Sequence, residues 1–215
     1  MKKSLIIVGG GGQCKVILDC LVPENYDEVF IEDPYVKSST LYGLTVIQAK
    51  DNFDCQNTEY VVAIGDNFLR SQIVTRLRAQ LPGVKFATII HPNAYVAETA
   101  SLGSGTVVCA GSIIGAYAKV GHHVIINTSC SVDHDTRLEN YCSIGPNATL
   151  GGNVSIGERS VVAISATISH GISVTDSVII GACSLVLSDI NENLSIWMGV
   201  PALRKRKRRI DETYL

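Results

Sequence analysis

From Val96 onward every sixth residue is aliphatic: Leu102, Val108, Ile114, Val120, Ile126, Val132, Leu138, Ile144, Leu150, Ile156, Val162, Ile168, Val174, Ile180 and Val186. The next step lands on Glu192 and the pattern stops. Two residues before the aliphatic the side chain is usually small, as at Ala118, Cys130, Thr136, Cys142, Ala148 and Ala166. Glycine often follows the aliphatic, as at Gly103, Gly115, Gly121, Gly145, Gly151, Gly157 and Gly181. An amphipathic helix repeats its apolar face every 3.6 residues and a half-buried strand every two, so this period fits neither. It fits one short strand and one turn, repeated, which is the hexapeptide pattern of a parallel β-helix. Three hexads close a triangular coil of 18 residues. The aliphatics point inward and stack, the small residues fill the corners, and the glycines are expected to supply backbone angles that a Cβ forbids.

The first third follows another rhythm. Residues 3–8 (KSLIIV), 28–33 (EVFIED), 59–65 (EYVVAIG) and 85–90 (KFATII) read as strands. A helix is expected after the glycines at 9–12, with Val16, Ile17 and Cys20 on one face. Residues 67–81 read as an amphipathic helix with Leu69, Ile73, Val74 and Leu77 on one side. Alternating strands and helices predict a small Rossmann-like parallel α/β domain. The expected division is 1–91 for that domain and 92–215 for a left-handed β-helix with a C-terminal tail, the handedness resting on the family resemblance given below.

Composition narrows the class. The chain is 46% hydrophobic and 18% charged, with a net charge of −2, so no strong positive field favours nucleic acid. The apolar run Leu5–Val8 is too short for a signal peptide, and no stretch reaches membrane-span length. The expectation is a cytoplasmic protein with neither nucleic-acid nor membrane partner. Seven cysteines without a C-x-x-C pair predict buried reduced thiols rather than a disulfide framework or zinc cage.

Two places hold candidate chemistry. The turn Gly9–Gly12, between a strand and a helix, is built to cradle phosphates. Asp33 or Glu32, ending the second strand, is placed to hold a ribose. The dinucleotide fingerprint G-x-G-x-x-G fails at Cys14, which argues against NAD and leaves a sugar nucleotide or a purely structural turn. The second place is Asp133-His134-Asp135. On an 18-residue coil His134 stacks beneath Gly152, and His170 lies two coils up, about 9.6 Å away. An imidazole can take a proton from an amine or hydroxyl, a carboxylate can fix its tautomer, and a free amide at Gly152 can hold an oxyanion. Together these describe acyl transfer, with either Asp133 or Asp135 supporting His134. The competing readings are a solvated surface His and a metal site including His122, the latter opposed by side-chain alternation. His91, His122 and His123 read as structural or solvent-facing. In the tail, Trp197 and Met198 are placed to cap the prism. RKRKRR at 204–209 reads as a solvated helix face or as a contact for nucleotide or coenzyme phosphates.

The motifs IIVGGGGQCKVI, FIEDP, AIGDNFLR, TIIHPNAYV, IINTSCSVDHD, IGPNATLGGNVSIG, IIGACSLVLSDI and MGVPA occur in this order over nearly the whole chain. In this it resembles the bacterial nucleotide-sugar acetyltransferases of the sialic-acid O-acetyltransferase and UDP-4-amino-sugar N-acetyltransferase type. The resemblance implies acetyl-CoA-dependent N-acetylation of a nucleotide-linked, UDP-linked 4-amino-4,6-dideoxy sugar, without a metal. It implies a homotrimer with active sites between subunits. It makes His134 the general base and Asp135 its partner. It assigns Gly10, Gly11, Gly12, Gln13, Asp33, Gly65 and Asn127 to the sugar nucleotide. Gly152, His170, Ala182 and Lys205 fall to the coenzyme. Alternatives are O-acetylation of a sialic acid and a non-catalytic sugar-nucleotide-binding β-helix. The chain departs from the family pattern at Gln13, where a His is common, and at IGACSLV, where IGAGAVV is usual.

Overall fold

The computed structural model describes residues 3–48 and 57–213; Cys55 lies outside them. Strand β1 (Ser4–Val8) is buried at every position, as its unbroken apolar run requires of a central parallel strand. It pairs in parallel with β2 (Glu28–Glu32) and with the strand Thr58–Val62. A short hairpin, β3 (Thr40–Leu41) and β4 (Leu44–Ile47), adds to the β2 edge; β5 (Thr58–Val62) and β6 (Lys85–Phe86) complete the order β3-β4-β2-β1-β5-β6. Helices α1 (Gly12–Cys20) and α2 (Asn67–Gln80) accompany the sheet. Asp66 caps α2, its Oδ1 accepting the Leu69 N–H at 2.8 Å.

The single strand expected over 85–90 divides. Lys85–Phe86 extends the α/β sheet, whereas β7 (Ile89–Ile90) pairs with Val107–Val108 and is the first rung of the solenoid. Ile90 stands one hexad before Val96, at the inward position, and is 39% exposed because no coil stacks beneath it. From there a left-handed parallel β-helix rises. One face runs from β7 up to Ser195–Met198, with Leu203–Lys207 as its last strand. A six-stranded face begins with β8 (Tyr95–Val96) and a five-stranded face with β9 (Ser101–Leu102). Register holds at 18 residues, as in Val108↔Ile126↔Ile144↔Val162↔Ile180. The inward aliphatics from Ile114 to Val186 are all at most 5% exposed and form one core. Each such side chain is worth about 1.5–3 kcal/mol of transfer free energy.

The turns do not work as the glycine pattern predicts. One residue per hexad is left-handed, from Gly105 and Gly111 through Tyr117, His123, Ser129 and Asp135 up to Cys183, and most of these are not glycine. The glycines after the aliphatics have other angles and are needed for close approach. A Cβ on Gly115 would lie 2.8 Å from the His134 amide nitrogen one coil up. The small corner residues also do more than fit. Thr106 Oγ1 donates to the Gly121 carbonyl and Ser112 Oγ to the Asn127 carbonyl, at 2.9 and 2.7 Å, pairing acceptors of the next coil.

Three further expectations are corrected. The basic run 204–209 is mostly strand rather than helix, because it closes an antiparallel hairpin on Ser195–Met198. Its arginines pair locally: Arg204 with Glu192, Arg206 with Glu212, and Arg209 with Asp211. Trp197 takes the next rung, in register with Ile180, and packs on the core, while Met198 is 44% exposed. Cys14, Cys20, Cys109, Cys130 and Cys142 are buried thiols, but Cys183 is exposed because it occupies a left-handed corner.

The α2 face is likewise not the apolar one expected. Leu69 is 45% exposed, and Asn67 and Arg70 are buried beside Val74 and Leu77. Arg70 is the reason. Its Nε donates to the His123 carbonyl at 2.9 Å, and Nη1 donates to the carbonyls of Ile64 and Gly65 at 2.9 and 2.8 Å. Nη2 reaches Tyr141 O and Asn67 Oδ1, both at 2.7 Å, and Ser143 Oγ at 3.2 Å. Asn67 Nδ2 donates to the carbonyls of Arg159 and Ser160. The two polar residues thus dock α2 on the solenoid.

His123 lies in the same interface, 1% exposed, stacked on Tyr141 and edge-on to Phe86, with both ring nitrogens unpartnered among the described residues. Burial, reinforced by Arg78, Arg70 and His122, pushes its pKa down from 6.5 to about 3. The unfolded chain therefore takes up a proton on this residue at a pH where the folded chain does not. Its contribution to stability is full above about pH 6.5 and is lost as pH falls toward 3, with a limiting slope of about 1.4 kcal/mol per pH unit. His123→Phe, which keeps the ring contacts, should flatten the unfolding free energy between pH 6.5 and 4 in urea titrations; an unchanged slope would contradict this.

Candidate active site

Asp133-His134-Asp135 leaves the six-stranded face just after Val132. On a continuing strand Asp133 and Asp135 would share a face opposite His134. The left-handed φ of 57° at Asp135 breaks that alternation and turns its carboxylate alongside the ring. Asp135 Oδ2 lies 2.8 Å from His134 Nδ1. Asp133 instead accepts the His134 backbone N–H on Oδ1 at 2.7 Å. The ring contact is therefore made by Asp135, while Asp133 fixes the backbone. Both side chains of the dyad are open, 52% and 57% exposed. The hydrogen bond to Asp135, with the charge of Asp133 next, holds the imidazole pKa above its ordinary value. With Nδ1–H donated to Asp135, Nε2 keeps the lone pair that a base needs.

Nε2 sits over Gly152. A Cβ there would lie 2.4 Å from Nε2 and 2.6 Å from Cε1. Gly152 is thus required by the ring, not by its own torsions. Its carbonyl accepts the Gly171 N–H, and among the described residues its own N–H makes no hydrogen bond. His170 leans toward the same place, with ring centroids 6.3 Å apart. That is closer than two coil rises, because the side chains tilt together.

A cavity of about 360 Å³ opens on a different edge of the prism, between the two domains. Gln13 and Gly65 line it from the α/β side; Asn127, Ser143, Gly145, Pro146, Ala163, Ile164 and Ala182 are among the solenoid residues opposite. Among the described residues its lining contains no charged side chain. Gln13 Nε2 is buried and, among the described residues, has no hydrogen-bond partner, a donor held ready for a ligand acceptor. Gly11 and Gly12 face open space, whereas Gly10 is packed against Leu41 and Asp33. Asp33 is engaged by the turn itself, its oxygens accepting the N–H groups of Gly10 and Tyr35 at 2.7 and 2.9 Å. Lys205 is exposed on the C-terminal hairpin.

Eight of the site residues read from the sequence fall into two groups. Gln13, Gly65, Asn127 and Ala182 meet at the cavity, Ala182 having been expected at the coenzyme; His134, Asp135, Gly152 and His170 share the next edge, and none of them lines the cavity. Gly10, Gly11, Gly12, Asp33 and Lys205 are in neither group. Sequence reasoning missed Ser143, Pro146 and Ile164 as cavity wall, and Arg70 and Asn67 behind it. Polar residues inside the AIGDNFLR stretch, on an otherwise amphipathic helix, were the available signal for the last two.

The family model of the PglD N-terminal domain matches residues 4–77. Sequence comparison with the curated proteins returns no match. Among solved structures, PerB from Caulobacter crescentus, in complex with CoA and GDP-perosamine, is 33% identical, with a TM-score of 0.82, over 94% of this chain and 97% of that one. The acetyltransferase domain of PglB from Neisseria gonorrhoeae, in complex with acetyl coenzyme A, is 30% identical, with a TM-score of 0.89, over 95% and 100%. WeeI from Acinetobacter baumannii, at 18% identity and a TM-score of 0.69 over 94% and 100%, shares the fold. At these identities, over the length of both chains, the protein belongs to the PglD-type family of sugar N-acetyltransferases.

Proposed function

We propose that the protein transfers acetyl from acetyl-CoA to the amine of a nucleotide-linked 4-amino-4,6-dideoxy sugar, with UDP as the nucleotide. The observation that carries this is the His134–Asp135 pair at 2.8 Å, with the ring set over the open amide of Gly152. Membership of a sugar N-acetyltransferase family supports the reaction class. His134 Nε2 takes a proton from the amine as its nitrogen bonds to the thioester carbonyl carbon. The Gly152 N–H holds the resulting oxyanion. Collapse breaks the C–S bond, and the imidazolium returns its proton to the departing thiolate. Gly152, His170, Ala182 and Lys205 are assigned to the coenzyme. Gly10, Gly11, Gly12, Gln13, Asp33, Gly65 and Asn127 are assigned to the sugar nucleotide.

Membership of a sugar N-acetyltransferase family favours an amine acceptor over the hydroxyl of a sialic acid. The separation of base and cavity on two edges supports a homotrimer in which each site lies between two copies. The six-stranded face between those edges exposes Tyr95 and Ile113, at 61% and 49%.

The direct test is CoA release with UDP- and GDP-linked 4-amino-4,6-dideoxy sugars and with free sialic acid. Turnover of sialic acid alone would overturn the proposal. His134→Ala should lower kcat at least about 10²-fold. Because the base works unprotonated and its pKa is raised, kcat/KM should climb with a midpoint above the ordinary histidine value of 6.5. Asp135→Asn removes the first cause of that rise, so the midpoint should move to lower pH while the plateau drops. A midpoint that stays put would dismiss the pairing. Gly152→Ala should displace the ring and cost on the order of 10²-fold in kcat with thermal stability retained; wild-type turnover there would show that the ring position does not matter.

A further inference from the structure

We propose that Arg70 is a positioning residue for the acceptor, acting through the two walls of the cavity that it ties together. The inference rests on the reading that this cavity receives the sugar nucleotide. Arg70 does not line the cavity, but it bonds to a residue on each side of it. Nη1 holds the Gly65 carbonyl on the α/β wall, and Nη2 holds Ser143 Oγ on the solenoid wall. The same guanidinium fixes Ile64 O, His123 O and Tyr141 O, so the whole fork is committed across the interface. A planar fork spans carbonyls in several directions at once, which an ammonium on a flexible stem cannot reproduce. Asn67 steadies the fork: its Oδ1 accepts from Arg70 Nη2 at 2.7 Å and from Ser143 Oγ at 2.6 Å.

The consequence is a cavity whose width is set by Arg70 together with Asn67. Gln13 Nε2 has no partner of its own among the described residues, so its position relative to Asn127 across the gap depends on how the domains are docked. Loosening the clamp should therefore weaken the acceptor and spare the coenzyme, because Gly152, His170 and Ala182 all belong to the solenoid, Ala182 on the solenoid wall of the cavity. A residue serving only general stability would not discriminate between the two substrates.

The experiment compares wild type with Asn67→Ala and Arg70→Lys in the full chain. It measures KM for the amino-sugar nucleotide, KM for acetyl-CoA, kcat and the thermal midpoint. Asn67→Ala leaves every lining residue in place and decides the question if Arg70→Lys does not fold. The expected result for the folded variants is an acceptor KM raised about tenfold or more, with kcat and the acetyl-CoA KM within about twofold of wild type, a shift within what small misplacements cost. An unchanged acceptor KM, or both KM values rising together, would overturn the clamp. Wild type that transfers acetyl to none of the amino-sugar nucleotides would instead overturn the proposed function, and the clamp inference with it.

Discussion

The structure depends on one backbone constraint: in each hexad from Gly105 to Cys183 a single residue turns left-handed, and the register of 18 residues never slips between Ile90 and Val186. For a residue other than glycine that conformation costs about 1–2 kcal/mol. It persists because the aliphatics three residues away on either side are locked in the core. The proposed chemistry inherits this turn. At Asp135 it brings the carboxylate beside His134, a geometry that strand alternation would forbid. The same register sets Gly152 against the imidazole from one coil above. The dyad is an ordinary corner of the repeat, with its side chains exchanged for an imidazole and a carboxylate.

Much of this was legible in the sequence. The aliphatic period gave the coil, the coil gave the stacking of His134 on Gly152, and the alternation of strands and helices gave the first domain. The rest was hidden for physical reasons. The periodic glycines look like turn residues, yet they serve contact between coils, and a one-dimensional pattern does not separate torsion from proximity. Ile89–Ile90 reads as the end of an α/β strand because apolar residues suit both domains; only pairing with Val107–Val108 decides. The strand character of Leu203–Lys207 comes from its hairpin partner, which outweighs a basic composition that would equally suit a helix.

The least legible feature was the docking of α2. Helix reasoning looks for apolar residues on the buried side, and Leu69 seemed to belong there. The surface that α2 meets is not apolar, however. It is a row of solenoid carbonyls at the corner around His123, Tyr141 and Ser160. Those acceptors would be costly to bury unpaired, so a guanidinium and a carboxamide match them better than leucine. The buried cation is sustained by oriented dipoles, and the helix amphipathicity is inverted at that point because its partner is polar.

Seen in this way the molecule separates two electrostatic tasks. The His134 edge is open and acidic, and its carboxylates raise the basicity of an exposed imidazole. The cavity edge is uncharged and largely apolar, with the Gln13 carboxamide, Asn127 and Ser143 as its polar side chains. Placed together in one pocket, each would spoil the other: apolar walls would desolvate the imidazolium, and the carboxylates would repel an anionic nucleotide. Holding them on two edges of one rigid prism avoids the conflict. Rigidity of the prism fixes the base, and Arg70 ties together the two walls of the cavity, so each edge is held without the other.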